Sequence, residues 1–516
     1  MTKERKFDIL LLFLTTFFLY IKNLSPSVYG GDSGDFLSAA STYGIAHPSG
    51  YPLYTMLGIL FLKLPIAASP AWKFGLVSVI TSSLTVVFIY LITHLMTKNR
   101  FLSLMTSFLV AFAFPFWLYA ETVEVISLLN LFIVTIIYFT LKYVLEKKMK
   151  YLYVLAFLLG LSLTNNLFII LVFPGVFLTI ILTNWEIVKE FRVIIKSFLL
   201  SILGLTPYIY IPLAAMQNPP INWGNAVTLD NFITLIARKA YGWEVRPVSE
   251  FDSFLIYWNF KTYLTYWNTR LLAIILIPIS ILGVFYLIKI KRKLSLLLFG
   301  STFLLFGPFF IIYAPVTFSS YAHLGVIEKF FLSSIITLLL FFPLGILSVR
   351  EVSVKFITNY ILRRIFLFVL TITTLLIPFS FFLANFKNTN LSHVYVGDNL
   401  AKDIITPLKK GSVLYLEDDS KVFNSLYLIH SLEIRSDVII PGNNEGYRVF
   451  LKSEGLTEKE IKDYAVENNN IIDKNVLFSN IPKLVKNSHV YTESPLEIVD
   501  DVFGKVISIP YGLIYK

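Results

Sequence analysis

Eleven runs of roughly 17–25 mostly apolar residues occupy the first 385 positions, and each is long enough to cross a bilayer as a helix. They fall at about 7–24, 74–96, 101–119, 124–143, 151–168, 167–184, 197–214, 271–289, 294–313, 330–348 and 365–385. The fifth and sixth abut at Thr164-Asn165-Asn166, which demands a tight polar turn. Only 15% of the 516 residues are charged and mean hydropathy is +0.70, whereas a soluble globular chain carries about 25% charge. The fold class is therefore an α-helical polytopic membrane protein. The first run lacks a small-residue cleavage site and leads into an acidic loop, so it reads as a retained helix. Pro52–Leu64 is too short to span with certainty and reads as a re-entrant or surface helix. Phe251–Trp267 is too polar to span and reads as a helix along the outer surface.

Charge supplies a check on the topology. With the N-terminus (Lys3, Arg5, Lys6) inside and the runs alternating, the basic clusters at 98–100, 142–150, 189–196, 289–293 and 350–364 all fall on the cytoplasmic side. The excess of 44 Lys and Arg over 33 acids thus belongs to membrane loops, and a nucleic-acid partner is not expected. There is no cysteine, which excludes disulfides, thiolate metal sites and cysteine nucleophiles. The Lys/Ile/Phe-rich usage favours a prokaryotic plasma membrane. From Asn388 onward the composition is that of a soluble domain, with strand-like runs at Ser412–Glu417, Asp437–Pro441 and His489–Thr492. Helical patterns at Val422–Glu433 and Thr457–Asn468 alternate with them. The division is a membrane domain over 1–386 and an extracytoplasmic α/β accessory domain over 387–516.

The outward side collects the unusual chemistry. Tyr29–Pro52 (YGGDSGDFLSAASTYGIAHPSGYP) sets Asp32 and Asp35 among five glycines beside the membrane, where acids are costly without a partner or a task. Asp32 or Ser33 could merely cap a short helix over Gly34–Thr42. Two acids exceed what a cap needs, so Asp32 is a candidate general base, kept ionised at a helix start, with Asp35 beside it. His47 in AHPSGYP reads first as structural, with substrate contact as the alternative, and Tyr51 follows it. In FWLYAETVEV, Glu121 reads as a solvated acid at a helix start, while the deeper Glu124 is a catalytic candidate. Asn165, Asn166, Asn222 and Trp223 are candidate substrate contacts, the last two in the rigid QNPPINWG run. Six of the seven tryptophans lie outside, as an interfacial belt or as sugar-stacking rings. Arg238, Lys239, Arg246 and Lys329 are the outer cations for a phosphate. Lys329, preceded by Glu328 and read as standing directly before a helix, is the best placed. No metal-ligand spacing occurs among the six histidines. The sequence names no certain cofactor, and because acids alone can hold a divalent cation, metal dependence stays open.

Taken in order, GDSGD with GIAHPSGYPLY, FW…AETVEV, GLSLTNN, PYIYIPL…QNPPINWG and EKFFL resemble the transmembrane-protein-260-like protein O-mannosyltransferases over about residues 5–350. The resemblance implies the GT-C type of membrane glycosyltransferase fold. It implies inverting transfer of a sugar, usually mannose, from a polyprenyl-phosphate donor, with an acid of the first outer loop as base. Asp35 stands where that family usually carries Glu, Ala214 where an arginine is expected, and Asn166 where a histidine is expected. A protein Ser/Thr or a glycolipid would be the acceptor. Two rival readings are a transporter or flippase of lipid-linked or small solutes, and a non-catalytic scaffold whose C-terminal domain binds partners.

Overall fold

The computed structural model describes residues 2–239, 253–271, 273–313, 321–416, 418–440 and 489–515, the last range without 494–496, 501–503, 508–509 and 512. Helix α1 (Lys3–Asn23) leads through a loop into two short helices, α2 (Ser33–Ser41) and α3 (Pro52–Leu62), and then into α4 (Pro70–Thr97). Next come α5 (Arg100–Ala111), α6 (Phe114–Ala120), α7 (Val125–Glu146), α8 (Met149–Leu163), a 3-10 segment Leu167–Val172 and α9 (Phe173–Thr183). They are followed by α10 (Phe191–Gly204), α11 (Tyr210–Ala215), α12 (Leu229–Ile236), α13 (Ser253–Leu271), α14 (Ala273–Lys289) and α15 (Lys293–Leu304). The membrane part closes with α16 (Phe310–Tyr313), α17 (Tyr321–Leu339), α18 (Phe342–Phe356) and α19 (Tyr360–Thr389).

Every apolar run read from the sequence falls on a helix or a bent helix pair. Among the described residues five helices are long and apolar enough to cross a membrane, or up to seven if each bent pair is one span. Two runs are broken. α5 and α6 meet at 68°, and α10 meets the Thr206–Ala215 segment at 43°. A proline sits in the first turn after each break, Pro115 and Pro207, where it cannot donate to the preceding turn. Elsewhere the packing is close: a Cβ on Gly160 of α8 would lie 2.1 Å from the Ser201 carbonyl oxygen of α10.

Asp8, Leu12, Thr16 and Tyr20 recur every four residues and form the buried stripe of α1. Asp8 is fully buried yet fully partnered. It accepts both Arg100 guanidinium bonds, at 2.8 and 2.7 Å, and the Tyr90 hydroxyl at 2.7 Å, which pins α1 to α4 and α5. From Ser253 onward the expected surface helix is α13, but its inner face is core. Tyr263 and Tyr266 pack on Phe331 of α17, with centroids 4.9 and 5.7 Å apart, and Trp267 is buried beside them. Trp117 is likewise fully buried, against Phe382, so these two tryptophans belong to the interior and not to a belt.

Beyond α19 the chain forms α20 (Val396–Ile405), β1 (Val413–Tyr415), α21 (Asp419–His430) and β2 (Val490–Thr492), then β3 (Glu497–Asp500), β4 (Gly504–Ile507), β5 (Pro510–Tyr511) and β6 (Ile514–Tyr515). β1 pairs parallel with β2, in a sheet of order β1-β2-β6-β5, while β3 and β4 form a separate antiparallel pair. The expected 437–441 strand is reduced to a bridge from Ile439 to Val413, and the Thr457–Asn468 pattern lies outside the described residues.

This C-terminal segment grips the loop after α1. Asp398 of α20 accepts from the Ser27 hydroxyl at 2.6 Å and the Val28 N–H at 3.2 Å. α21 lies on α2 so closely that a Cβ on Gly34 would stand 2.3 Å from the Phe423 carbonyl oxygen. Gly34→Ala should therefore cost about 1–3 kcal/mol through overpacking and lower the thermal midpoint of the detergent-solubilised protein. Gly300→Ala, where a Cβ meets nothing within 4 Å in mid-helix, should leave the midpoint unchanged or raise it. Equal midpoints for Gly34→Ala and the wild type would contradict the tight α2–α21 contact.

Candidate active site

The acidic loop turns on Gly30 and Gly31, both at positive φ (121° and 58°), before α2 begins. Asp32 holds the position before α2, but its side chain makes no capping bond. Instead Oδ2 accepts from the Lys329 ammonium at 2.7 Å. Lys329 also donates to Glu124 Oε1 at 2.7 Å. Glu124 likewise precedes a helix, α7, without capping it. Three segments far apart in the chain thus converge on one ammonium. The Lys329 and Glu124 side chains are 9% and 5% exposed, whereas that of Asp32 is 29% exposed, so Asp32 is the open end of the cluster.

Asp35 is the closed counterpart. It is fully buried, and Oδ2 accepts from the His47 backbone N–H at 2.8 Å and stands 2.7 Å from His47 Nδ1. Its Oδ1 accepts from the Trp223 indole N–H at 2.8 Å. With these partners Asp35 orients His47, whose Nε2 stands 4.0 Å from Asp32 Oδ2. Burial works against ionisation of Asp32, but the charges of Lys329 and then His47 outweigh it and hold the carboxyl below the usual carboxylate range. Burial likewise opposes the His47 imidazolium. Asp32 and then Asp35 overcome that and raise its pKa.

Trp223 reaches Asp35 because the QNPPINWG run docks on the acidic loop. Ile45 N–H donates to Ile221 O at 2.8 Å, beside a parallel bridge between Ile45 and Asn222, and Asn222 is buried there. Tyr51, also buried, accepts from Arg238 at 3.3 Å, while Lys239 is exposed. Asn165 donates to Val125 O at 3.3 Å, directly behind Glu124, and Asn166 caps the following 3-10 segment through Phe168 N–H at 2.9 Å. Glu328 accepts from the Tyr119 hydroxyl at 3.2 Å. Ala214 is buried at the edge of an apolar groove of about 540 Å³ lined by Tyr43, Tyr210, Leu213 and Pro219.

Two readings of the sequence need correction. Glu121 is not a solvated acid: the bend between α5 and α6 turns it inward, fully buried, where it accepts the Trp117 indole N–H. Lys329 does not stand at a helix start: α17 begins at Tyr321, so Lys329 lies within the helix, between two carboxylates. Arg246 lies outside the described residues. Phe423 of α21 is a site neighbour that the sequence did not signal. Its ring stacks on His47, with centroids 5.8 Å apart, and meets Trp223 edge-on at 6.2 Å.

Comparison with known proteins finds curated relatives and similar solved structures. Tmem260 of Dictyostelium discoideum, described as a protein O-mannosyl-transferase, is 29% identical over 251 residues, covering 45% of this chain and 31% of its own length. The Mus musculus protein of the same description is 27% identical over 237 residues, covering 43% and 33%. The chain thus spans about a third of the length of the curated relatives it matches. Among solved structures, ArnT from Cupriavidus metallidurans bound to undecaprenyl phosphate superposes with a TM-score of 0.57 at 12% identity, covering 97% of this chain and 96% of that one. Its apo form gives 0.55, also at 12% identity and with 97% of each chain covered. The fold is therefore of the ArnT, GT-C-like kind. Residues 32–189, which carry Asp32, Asp35, His47 and Glu124, match the family described as the protein O-mannosyl-transferase TMEM260 N-terminal domain.

Proposed function

We propose that the chain is an inverting glycosyltransferase that moves a sugar, mannose first among candidates, from a polyprenyl-phosphate donor to a hydroxyl of a protein Ser/Thr or a glycolipid. The observation that carries this reading is the half-open Asp32 carboxylate, held anionic between Lys329 and His47. An acceptor oxygen attacks the anomeric carbon and the carbon–oxygen bond to phosphate breaks. The electron pair leaves with the phosphate, and the hydroxyl proton passes to Asp32. A lipid phosphate is already a competent leaving group, so the chain has chiefly to orient both reactants and supply the base.

Lys329 has a second use in this scheme. It keeps Glu124 as an anchor while offering charge to the departing phosphate, with Arg238 and Lys239 as further cations. The apolar groove beside Ala214 suits a polyprenyl tail. The names of the curated relatives and the undecaprenyl phosphate bound by ArnT support the same substrate classes. The cluster sits at the ends of α1 and α7 opposite Lys98, Arg100 and Lys147, which supports an extracytoplasmic site with the N-terminus in the cytoplasm.

Asp32→Asn should reduce transfer from polyprenyl-phosphate-mannose in isolated membranes by about 100-fold or more. Undiminished transfer would remove Asp32 from the mechanism. A second expectation concerns pH. Because the folded pKa of His47 is raised, its contribution to stability is complete below about pH 6.5 and is lost as pH rises through the folded value. The depressed pKa of Asp32 makes its contribution constant over that window, since it is lost only below the ordinary carboxylate range. The thermal midpoint of the solubilised protein should therefore fall as pH rises above about 6.5, and His47→Gln should flatten that fall. An identical slope in the variant would mean that His47 carries no such linkage.

A further inference from the structure

The C-terminal domain reads from its sequence as an accessory module, yet its helix α21 lies against the catalytic loop. Four observations converge there. Phe423 is buried (3% exposed), stacked at 20° on His47 and edge-on to Trp223, the two residues that donate to Asp35. Gly34, between Asp32 and Asp35 in the turn sequence, admits the α21 backbone only because it lacks a Cβ. At the far end of the contact the Ser41 hydroxyl donates to that of Ser431 at 2.8 Å. Asp419, the first residue of α21, is near enough that partial desolvation and then the charge of Asp32 raise its carboxyl pKa.

We propose that α21 is a fixed wall of the active site and that Phe423 is a positioning residue, holding the His47 and Trp223 rings against Asp35. The proposal rests on the glycosyltransferase reading for its catalytic half and on geometry alone for its docking half. An imidazole bonded through one nitrogen can still tilt about that bond. A ring stacked on its face removes the tilt and keeps Nε2 directed at Asp32. Burial of Phe423 beneath the domain leaves no room for it to contact a sugar, so its effect must pass through His47 and Trp223.

Two experiments separate the halves. The chain has no cysteine, so Ser41→Cys with Ser431→Cys leaves a single thiol pair across the α2–α21 contact. Oxidation should close the disulfide in the full-length membrane protein, and the closed form should keep wild-type transfer from polyprenyl-phosphate-mannose. Failure to close, or a closed form that transfers only after reduction, would overturn the fixed wall. Next, Phe423→Leu should lower kcat about ten-fold per folded molecule while the donor KM stays within two-fold, and Phe423→Tyr should restore kcat. A wild-type kcat for Phe423→Leu, or a loss shared equally by the Tyr variant, would overturn the positioning role. If wild-type membranes transfer no sugar, the functional reading fails and the catalytic half with it, while disulfide closure still decides the docking.

Discussion

A lysine ammonium shared by two carboxylates at the edge of a membrane bundle governs the rest of this structure. Charges there are stable only as matched sets, because the desolvation cost of each is repaid by the field of its partners. Lys329 is buried, and with Asp32 and Glu124 it draws α17, the start of α7 and the loop before α2 to one point. Removing the Lys329 ammonium would leave two neighbouring carboxylates unmatched, at a cost of about 3–5 kcal/mol. The arrangement clasps three segments together and leaves only one of its two acids half-open.

Behind this clasp stands a second layer with a different task. Asp35 spends its hydrogen-bonding capacity on His47 and Trp223, and the segments that carry them are joined by the Ile45–Ile221 pairing among other contacts. The two carboxylates three positions apart in GDSGD therefore differ by environment and not by type. One is enclosed and the other is half-open.

The apolar runs translated into helices because length and hydropathy determine spans with little help from tertiary context. The acidic loop was legible for the complementary reason, since Asp32 and Asp35 beside a membrane demand an explanation. The helix over Gly34–Thr42 and the elements at Ser412–Glu417, Val422–Glu433 and His489–Thr492 were also legible, within a few residues. What escaped depends on bends and docking. Glu121 turns inward only because α5 and α6 meet at 68°, an angle that hydropathy does not encode. Lys329 looked like a residue ahead of a helix because the apolar run begins at Phe330, whereas α17 starts at Tyr321. Phe423 had no signal at all: an aromatic residue in an amphipathic soluble helix ordinarily packs its own domain.

The grip of α20 on the first loop has a consequence for how the protein is made. The Ser27–Asp398 bond joins residues 371 positions apart, so the loop carrying Asp32 enters the membrane long before the helix that clasps it is translated. Until then the buried hydroxyl of Ser27 and the N–H of Val28 lack the acceptor they have in the finished molecule. Ribosomal synthesis thus imposes an order: insertion of the bundle comes first, and the acidic loop acquires its final shape only when the distal end of the chain has folded over it.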